Sequence, residues 1–169
     1  MVHGVAEAAR LSRLRIRPAA RAIVLDPDDR ILLVRFEFPA ASLWATPGGG
    51  VESGETHEQA IARELAEETG RTDVAVGPCV WTRLHIVPFI GGQWDGQRER
   101  YHVVRTQSFT PRPQLSWEEL NREYVFELRW WTLEELEQAD VVFAPRRLPE
   151  LVGSLIREGP PPVPLDVSD

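Results

Sequence analysis

The segment from residue 47 to residue 70 constrains this chain more than any other. Pro47-Gly48-Gly49-Gly50 makes a bend whose backbone can approach a ligand closely. A helix is expected directly after it, over residues 56–69, with Thr56 and Gln59 at capping-box spacing and Gly70 as the stop. That helix carries Glu58, Glu64, Glu67 and Glu68, and Glu55 stands just ahead of it. Glu64, Glu67 and Glu68 fall at i, i+3 and i+4, so the three carboxylates share one surface. Like charges at this spacing oppose a helix by about a few tenths of a kcal/mol per pair, and a bound cation would offset that. Magnesium takes carboxylate oxygens and keeps water and phosphate in its other positions, which suits metal-assisted phosphoryl chemistry. Taken alone, the same face could be a solvated acidic surface with Arg63 as a partial counter-charge.

Strand-like runs at 20–25 and 30–36 flank Asp26-Pro27-Asp28-Asp29, a turn signal that predicts a hairpin. A short apolar run at 43–46 leads into the glycine bend. Further strands are expected at 79–87 and 99–107 around a hairpin loop at 91–96. Another is expected at 124–132, where Trp130 and Trp131 point to opposite faces and at least one belongs to the core. Ser116 with Glu119, and Thr132 with Glu135, repeat the capping-box spacing and predict short helices at 117–121 and 133–139. An amphipathic helix is expected at 148–157. Mixed strands, hairpins and helices predict an α/β domain with a mixed sheet. The domain is expected to span residues 15–158. Residues 1–14 form an extension, flexible or with a short helix from Ala6, and the Pro-rich residues 159–169 a tail that is disordered or extended.

The chain has 169 residues, enough for one domain with a real core, and its 43% hydrophobic and 27% charged residues suit a soluble globular protein. No run approaches the roughly 20 apolar residues of a membrane helix, and the first 14 residues hold no signal-peptide core. Cys79 is the single cysteine, so no internal disulfide can form; it is expected to be a small buried hydrophobe, and a reducing cytoplasm is the expected location. The net charge of −7 argues against a partner as polyanionic as long nucleic acid.

From Gly49 the sequence runs through five residues to Glu55, then seven to Arg63-Glu64-Leu65-Ala66-Glu67-Glu68-Thr69-Gly70. This resembles the Nudix box at each of its glycine, glutamate and arginine positions and at the apolar slot Leu65. Seven fixed residues coincide by chance on the order of 10⁻⁷ per start point. One position departs: the box closes on an apolar residue, and Arg71 stands there. Trp44-Ala45-Thr46-Pro47-Gly48-Gly49 upstream is similar to the family's approach to the box. Leu128-Arg129-Trp130-Trp131-Thr132, followed by Leu133-Glu134-Glu135-Leu136, is similar to its downstream strand and helix.

The resemblance implies a Nudix-type α/β/α sandwich with a mixed β-sheet. It further implies a Mg2+-dependent pyrophosphohydrolase, with Mn2+ able to substitute, that cleaves a diphosphate linkage in a nucleoside diphosphate derivative or nucleoside triphosphate. The partner is then a small nucleotide, with no long nucleic acid and no membrane, and a homodimer is allowed because many relatives dimerise. Glu64, Glu67 and Glu68 are the implied metal ligands and catalytic residues, with Glu64 also orienting or deprotonating water. Gly49, Glu55, Arg63 and Gly70 are the implied structural support of the box. A further ligand from outside the box is expected among Glu118, Glu119, Glu123 and Glu127, and its spacing from Trp130 favours Glu123.

Gly48, Arg83 and Trp81 are substrate-binding candidates. Trp81, Arg83 and His85 share one strand face, so Arg83 could meet phosphate and Trp81 stack on a base. The same face could instead be open to solvent, and Arg35, Arg98, Glu99 and Arg100 are read as solvent-facing too. Pro88 is an approximate counterpart of the proline that accompanies many ADP-ribose hydrolases. Markers of diadenosine polyphosphate, coenzyme A and NADH hydrolases are absent. Two other readings stand beside the hydrolase: a catalytically inactive nucleotide-binding Nudix domain, and an isoprenoid diphosphate isomerase, for which Cys79 lacks the expected glycine-rich context.

Overall fold

Alternation along the first strand sets the architecture. In β1 (Ile16–Leu25), Ala20, Ala22 and Val24 pack against Ala60, Ile61 and Leu65 of α2 (His57–Thr69), while Ile23 and Leu25 enter the core on the opposite side. The computed structural model describes residues 2–87 and 92–168, with side chains from residue 7 onward. The remaining elements, in chain order, are α1 (Val2–Leu11), β2 (Ile31–Phe38), β3 (Ala41–Ala45), β4 (Gly48–Gly50), β5 (Cys79–His85), β6 (Gly96–Arg105), α3 (Trp117–Arg122), β7 (Val125–Trp131), α4 (Leu133–Gln138), β8 (Phe143–Ala144), α5 (Leu148–Glu158) and β9 (Leu165–Asp166). Leu136 of α4 and Leu148, Leu151, Val152 and Leu155 of α5 bury their apolar stripes against the second face of the sheet. The result is an α/β/α sandwich with a mixed sheet, as the resemblance implied.

The three expected capping boxes are all formed, at Thr56/Gln59, Ser116/Glu119 and Thr132/Glu135. Gly70 closes α2 in the left-handed region at φ 77°. The expected hairpin of β1 and β2 forms only at its tip, where Leu25 pairs with Ile31. Beyond the tip the strands part. β1 takes β6 as a parallel neighbour along its whole length and β4 as an antiparallel one, whereas β2 pairs with β3 and β7. Buried Asp26 locks the turn: its Oδ1 accepts the backbone N–H of Asp28 and Arg30, and its Oδ2 accepts from Arg30 Nε and Ser108 Oγ. This divergence of two consecutive strands opens the cleft described below.

The tail departs from the expectation of disorder. Leu165–Asp166 run parallel to β5, Val167 N donates to Thr82 O at 2.8 Å, and the Val167 side chain is buried in the core. Without this segment β5 would present an unpaired edge, and the prolines before it favour the extended chain that reaches that edge. Deleting residues 163–169 is therefore expected to lower stability by about 1.5–3 kcal/mol, the burial value of one valine side chain, as read from urea unfolding midpoints. An unchanged midpoint would count against any structural contribution of the tail. No described helix is long and apolar enough to cross a membrane.

Candidate active site

Where β1 and β2 part, a cleft of about 1200 Å³ lies between β5 and β6 on one side and β2, β3 and the start of β7 on the other, with β4 and α2 as its floor. Glycines bring the α2 carboxylates to that floor. Gly48 has φ 136°, and a methyl group there would sit 2.1 Å from Ala20 O, so only glycine lets β4 lie against β1. Gly48 N donates to Glu68 Oε2 at 3.2 Å. A methyl group at Gly49 would fall 2.3 Å from Glu64 Oε1, so its absence is what leaves room for that carboxylate.

Arg63 ties the floor together. Its Nε and Nη2 donate to the two oxygens of Glu55 at 2.9 and 3.0 Å, Nη2 also donates to Gly50 O at 2.9 Å, and Nη1 donates to Glu64 Oε1 at 2.9 Å. These hydrogen bonds, led by the pair to Glu55, hold the guanidinium above its ordinary pKa despite partial burial.

The acidic face of α2 is not a solvated surface. Glu64 is 8% exposed and Glu68 3%, while Glu67 is half-buried at the cleft. This corrects the reading of that face as exposed: β4 and the cleft walls cover it. Burial pushes the Glu68 carboxyl well above the usual range, and the charge of Glu64 adds to this; Arg21 and the Gly48 N–H oppose it, and Glu123 raises it further. Burial likewise raises Glu64, against its hydrogen bond from Arg63.

A buried polar knot forms the wall behind the floor. Glu99 accepts from Arg21 Nε at 2.9 Å and Gln97 Nε2 at 2.6 Å on one oxygen, and from Tyr101 Oη at 2.7 Å and Arg83 Nη1 at 3.3 Å on the other. Arg21 Nη1 then reaches Gly48 O at 3.1 Å. Burial opposes the Glu99 charge, but Arg21, the Tyr101 hydroxyl and Arg83 together hold its carboxyl below the ordinary value. Arg17 lines the cleft beside Gly50. The sequence reading missed Arg17, Arg21, Gln97 and Tyr101. The signal was there: arginines at 17 and 21, and polar residues at 97, 99 and 101, repeat with the strand period of two.

Several site assignments from the sequence change. Glu99, read as solvent-facing, is buried in the knot, and so is Arg83, the substrate-binding candidate whose alternative was a solvent-facing position. Trp81 cannot stack on a ligand: it is 1% exposed and packs on Tyr101 with ring centroids 5.7 Å apart. It shares a face with Arg83 and His85, yet β5 runs from the cleft into the core, so only Arg83 and His85 line the cleft. Arg98 and Arg100 are exposed, and Arg35 pairs with Glu37 and Glu127.

Of the four candidate outer glutamates, Glu123 lines the cleft. The others are engaged elsewhere: Glu127 with Arg35, Glu118 with Arg122, and Glu119 with Ser116 at the α3 cap. Arg71, in the slot the box fills with an apolar residue, lays its guanidinium over Phe109 at 5.4 Å and so still packs after the helix. Cys79 is half-buried, with its thiol 3.5 Å from Trp81 O. Pro88 lies outside the described residues.

A glycine-rich strand thus lies over an arginine-clamped acidic helix in the cleft of an α/β/α sandwich. The NUDIX domain model matches residues 15–151, and the chain belongs to the Nudix family. It is 30% identical over 132 residues to a protein of Rickettsia bellii named RNA pyrophosphohydrolase, covering 73% of this chain and 79% of that one. Its match to Nudix hydrolase 25 of Arabidopsis thaliana is also 30% identical, over 103 residues, and spans 54% of this chain and little more than half of the plant protein, 58%. Among solved structures, the NUDIX domain of Shewanella oneidensis NrtR, complexed with ADP ribose, superposes with a TM-score of 0.61 at 19% identity. That alignment covers 89% of this chain and 97% of that one, and supports the fold alone.

Proposed function

We propose that this chain is a divalent-metal-dependent pyrophosphohydrolase that cleaves a diphosphate linkage in a small nucleotide derivative. One observation carries the reading: Glu64 and Glu68 are buried together on the floor of an open cleft, where burial first, and then a neighbouring carboxylate (Glu67 for Glu64, Glu64 for Glu68), oppose their charge. Among the described residues no three histidine, cysteine, aspartate or glutamate side chains are gathered closely enough to hold a metal ion as they stand. The donor chemistry nonetheless fits a hard cation, since Glu64, Glu67, Glu68 and Glu123 offer oxygen alone, and magnesium is commonly held by one or two carboxylates with phosphate and water completing its shell. These residues would hold Mg2+, or Mn2+ in its place, and the ion would neutralise charge on the diphosphate oxygens.

The chain's own residues supply the rest. Glu64, steered by Arg63 against Gly49, orients the attacking water and accepts its proton. Arg21 stabilises the floor from behind through Gly48 O, and Arg17 sits where a phosphate oxygen would enter beside Gly50. Family membership and the name of the Rickettsia relative support the reaction class.

The test is a hydrolysis screen of purified protein against nucleoside triphosphates, nucleotide sugars, ADP-ribose, dinucleoside polyphosphates and 5′-triphosphorylated RNA, with magnesium, with manganese and with chelator. Metal-dependent cleavage of one class supports the proposal and names the substrate group. Ligand binding without turnover across the panel would replace it with the binding-domain reading.

A further inference from the structure

β4 is a strand of three glycines, so no side chain of its own holds it in place. Its register against β1 sets Ala19 opposite Gly50, Ala20 opposite Gly49 and Arg21 opposite Gly48. Glycine-rich strands specify register weakly, because a slip costs them no side-chain packing. The floor of the cleft depends on that register: Gly48 N–H meets Glu68, and Gly49 leaves the space that Glu64 fills. Two guanidinium groups grip the strand at its two ends. Arg63 donates to Gly50 O at 2.9 Å and is itself fixed by Glu55. Arg21 donates to Gly48 O at 3.1 Å and is itself fixed by Glu99 at 2.9 Å. The first pair belongs to the box segment. The second joins β1 to β6, and neither of its members lies in the box.

Glu99 is held on every side. It is 2% exposed, and its two oxygens accept from Arg21, Gln97, Tyr101 and Arg83. The Arg21 side chain is 14% exposed, so the pair is largely shut off from water. Such a pair contributes little net stability beside well-packed apolar side chains, and its consequence is the geometry it fixes. Resting on the hydrolase reading above, we infer that Glu99 is a positioning residue: through Arg21 it locks the Gly48 end of β4, and so sets how tightly the floor carboxylates hold a divalent cation. Glu99 acts through Arg21 and Gly48 and touches neither metal nor substrate. Without it, Arg21 leaves Gly48 O, that end of β4 is free to shift, and Glu68 loses the N–H that orients it.

The experiment measures Mn2+ binding to the full chain without nucleotide, by calorimetry, below the unfolding transition of each variant. Glu99→Gln keeps the shape and removes the charge. Arg21→Lys keeps the cation and loses the fork that reaches Glu99 and Gly48 O together. Each is expected to weaken Mn2+ by about 10- to 100-fold with the number of bound ions unchanged. The double variant should be no weaker than either single one, since both cut the same relay. In turnover of the substrate found by the screen, the Mn2+ concentration for half-maximal rate should rise while KM at saturating Mn2+ stays at the wild-type value. Tyr101→Phe removes one donor from Glu99 with little change in shape, and should show a smaller loss of Mn2+ affinity. It carries the test if the other variants do not fold.

Wild-type Mn2+ affinity in the folded variants, even with lowered unfolding midpoints, reduces the pair to a structural one and overturns the inference. Loss of one bound ion in Glu99→Gln would make Glu99 a ligand, and a raised KM with unchanged Mn2+ affinity would make Arg21 a substrate contact; either overturns it. Weakened Mn2+ binding in the variants of a chain that hydrolyses nothing in the panel supports the clamp and overturns the hydrolase reading. A wild type that binds no Mn2+ overturns both.

Discussion

Glu68→Gln is expected to lose metal-dependent turnover by about 10²- to 10⁴-fold, the several kcal/mol that a metal-held charge contributes at about 1.36 kcal/mol per tenfold. The same variant is expected to unfold at a higher temperature than the wild type in chelator at neutral pH. Both outcomes come from one carboxylate. Burial first, and then the charge of Glu64, hold the folded-state pKa of Glu68 well above the ordinary 4.5, with Arg21 and the Gly48 N–H opposing. Below pH 4.5 the carboxyl is protonated in both states and costs nothing. As pH rises from there toward the folded-state value, the unfolded chain releases its proton while the fold resists, so stability falls with pH.

Glutamine stays neutral throughout, so the Glu68 share of that fall disappears, and the share from Glu64 remains because its carboxyl is also raised. Thermal unfolding in chelator at pH 5 and pH 8 should therefore show a steeper loss for the wild type than for Glu68→Gln. Magnesium should restore the wild type by mass action and act far less on the variant. Near-normal turnover of Glu68→Gln at saturating magnesium would remove Glu68 from the metal site. A wild type no less stable at pH 8 than at pH 5 would contradict the burial argument.

Arg63→Ala is expected to cost about 2–4 kcal/mol of stability, somewhat below the full value of a broken buried ion pair because part of the guanidinium is open to water. The substitution strands Glu55 and Glu64 without their shared cation and leaves Gly50 O without its donor. Activity should fall with stability, since Glu64 loses the contact that steers it. Arg63→Lys should rescue little, because one ammonium cannot span both Glu55 oxygens and the Gly50 carbonyl as the guanidinium fork does. Urea unfolding reads the first effect and turnover at saturating substrate the second. An unchanged midpoint in Arg63→Ala would show that the pair is not a clamp.

These two residues also mark the reach of the sequence. The box segment was legible because its determinants are local. Thr56 caps through Gln59, Gly70 ends the helix, and Glu64, Glu67 and Glu68 are neighbours on any helix of that register, whatever surrounds it. For the same reason the other capping boxes and the period-two strands were readable, and the family resemblance rested on the same spacing. The burial of Glu64 and Glu68 was not readable, because it depends on β4 folding over α2.

What only the tertiary structure decided lies between residues far apart in the chain. The Glu99 knot joins Arg21 to a partner 78 positions away, and nothing near either residue signals that meeting. Trp81 and Arg83 have the same strand pattern, yet one is core and the other cleft, because β5 crosses from one to the other. The cleft itself exists because β1 found β6 and β4 while β2 found β3 and β7, a competition among long-range pairings that a turn sequence at 26–29 cannot settle. The tail became a strand by the same rule, its order set by the open edge of β5 rather than by its own prolines. Local sequence determined the acidic helix and its caps because those contacts close within about four residues; pairing and burial across the sheet determined the cleft around them.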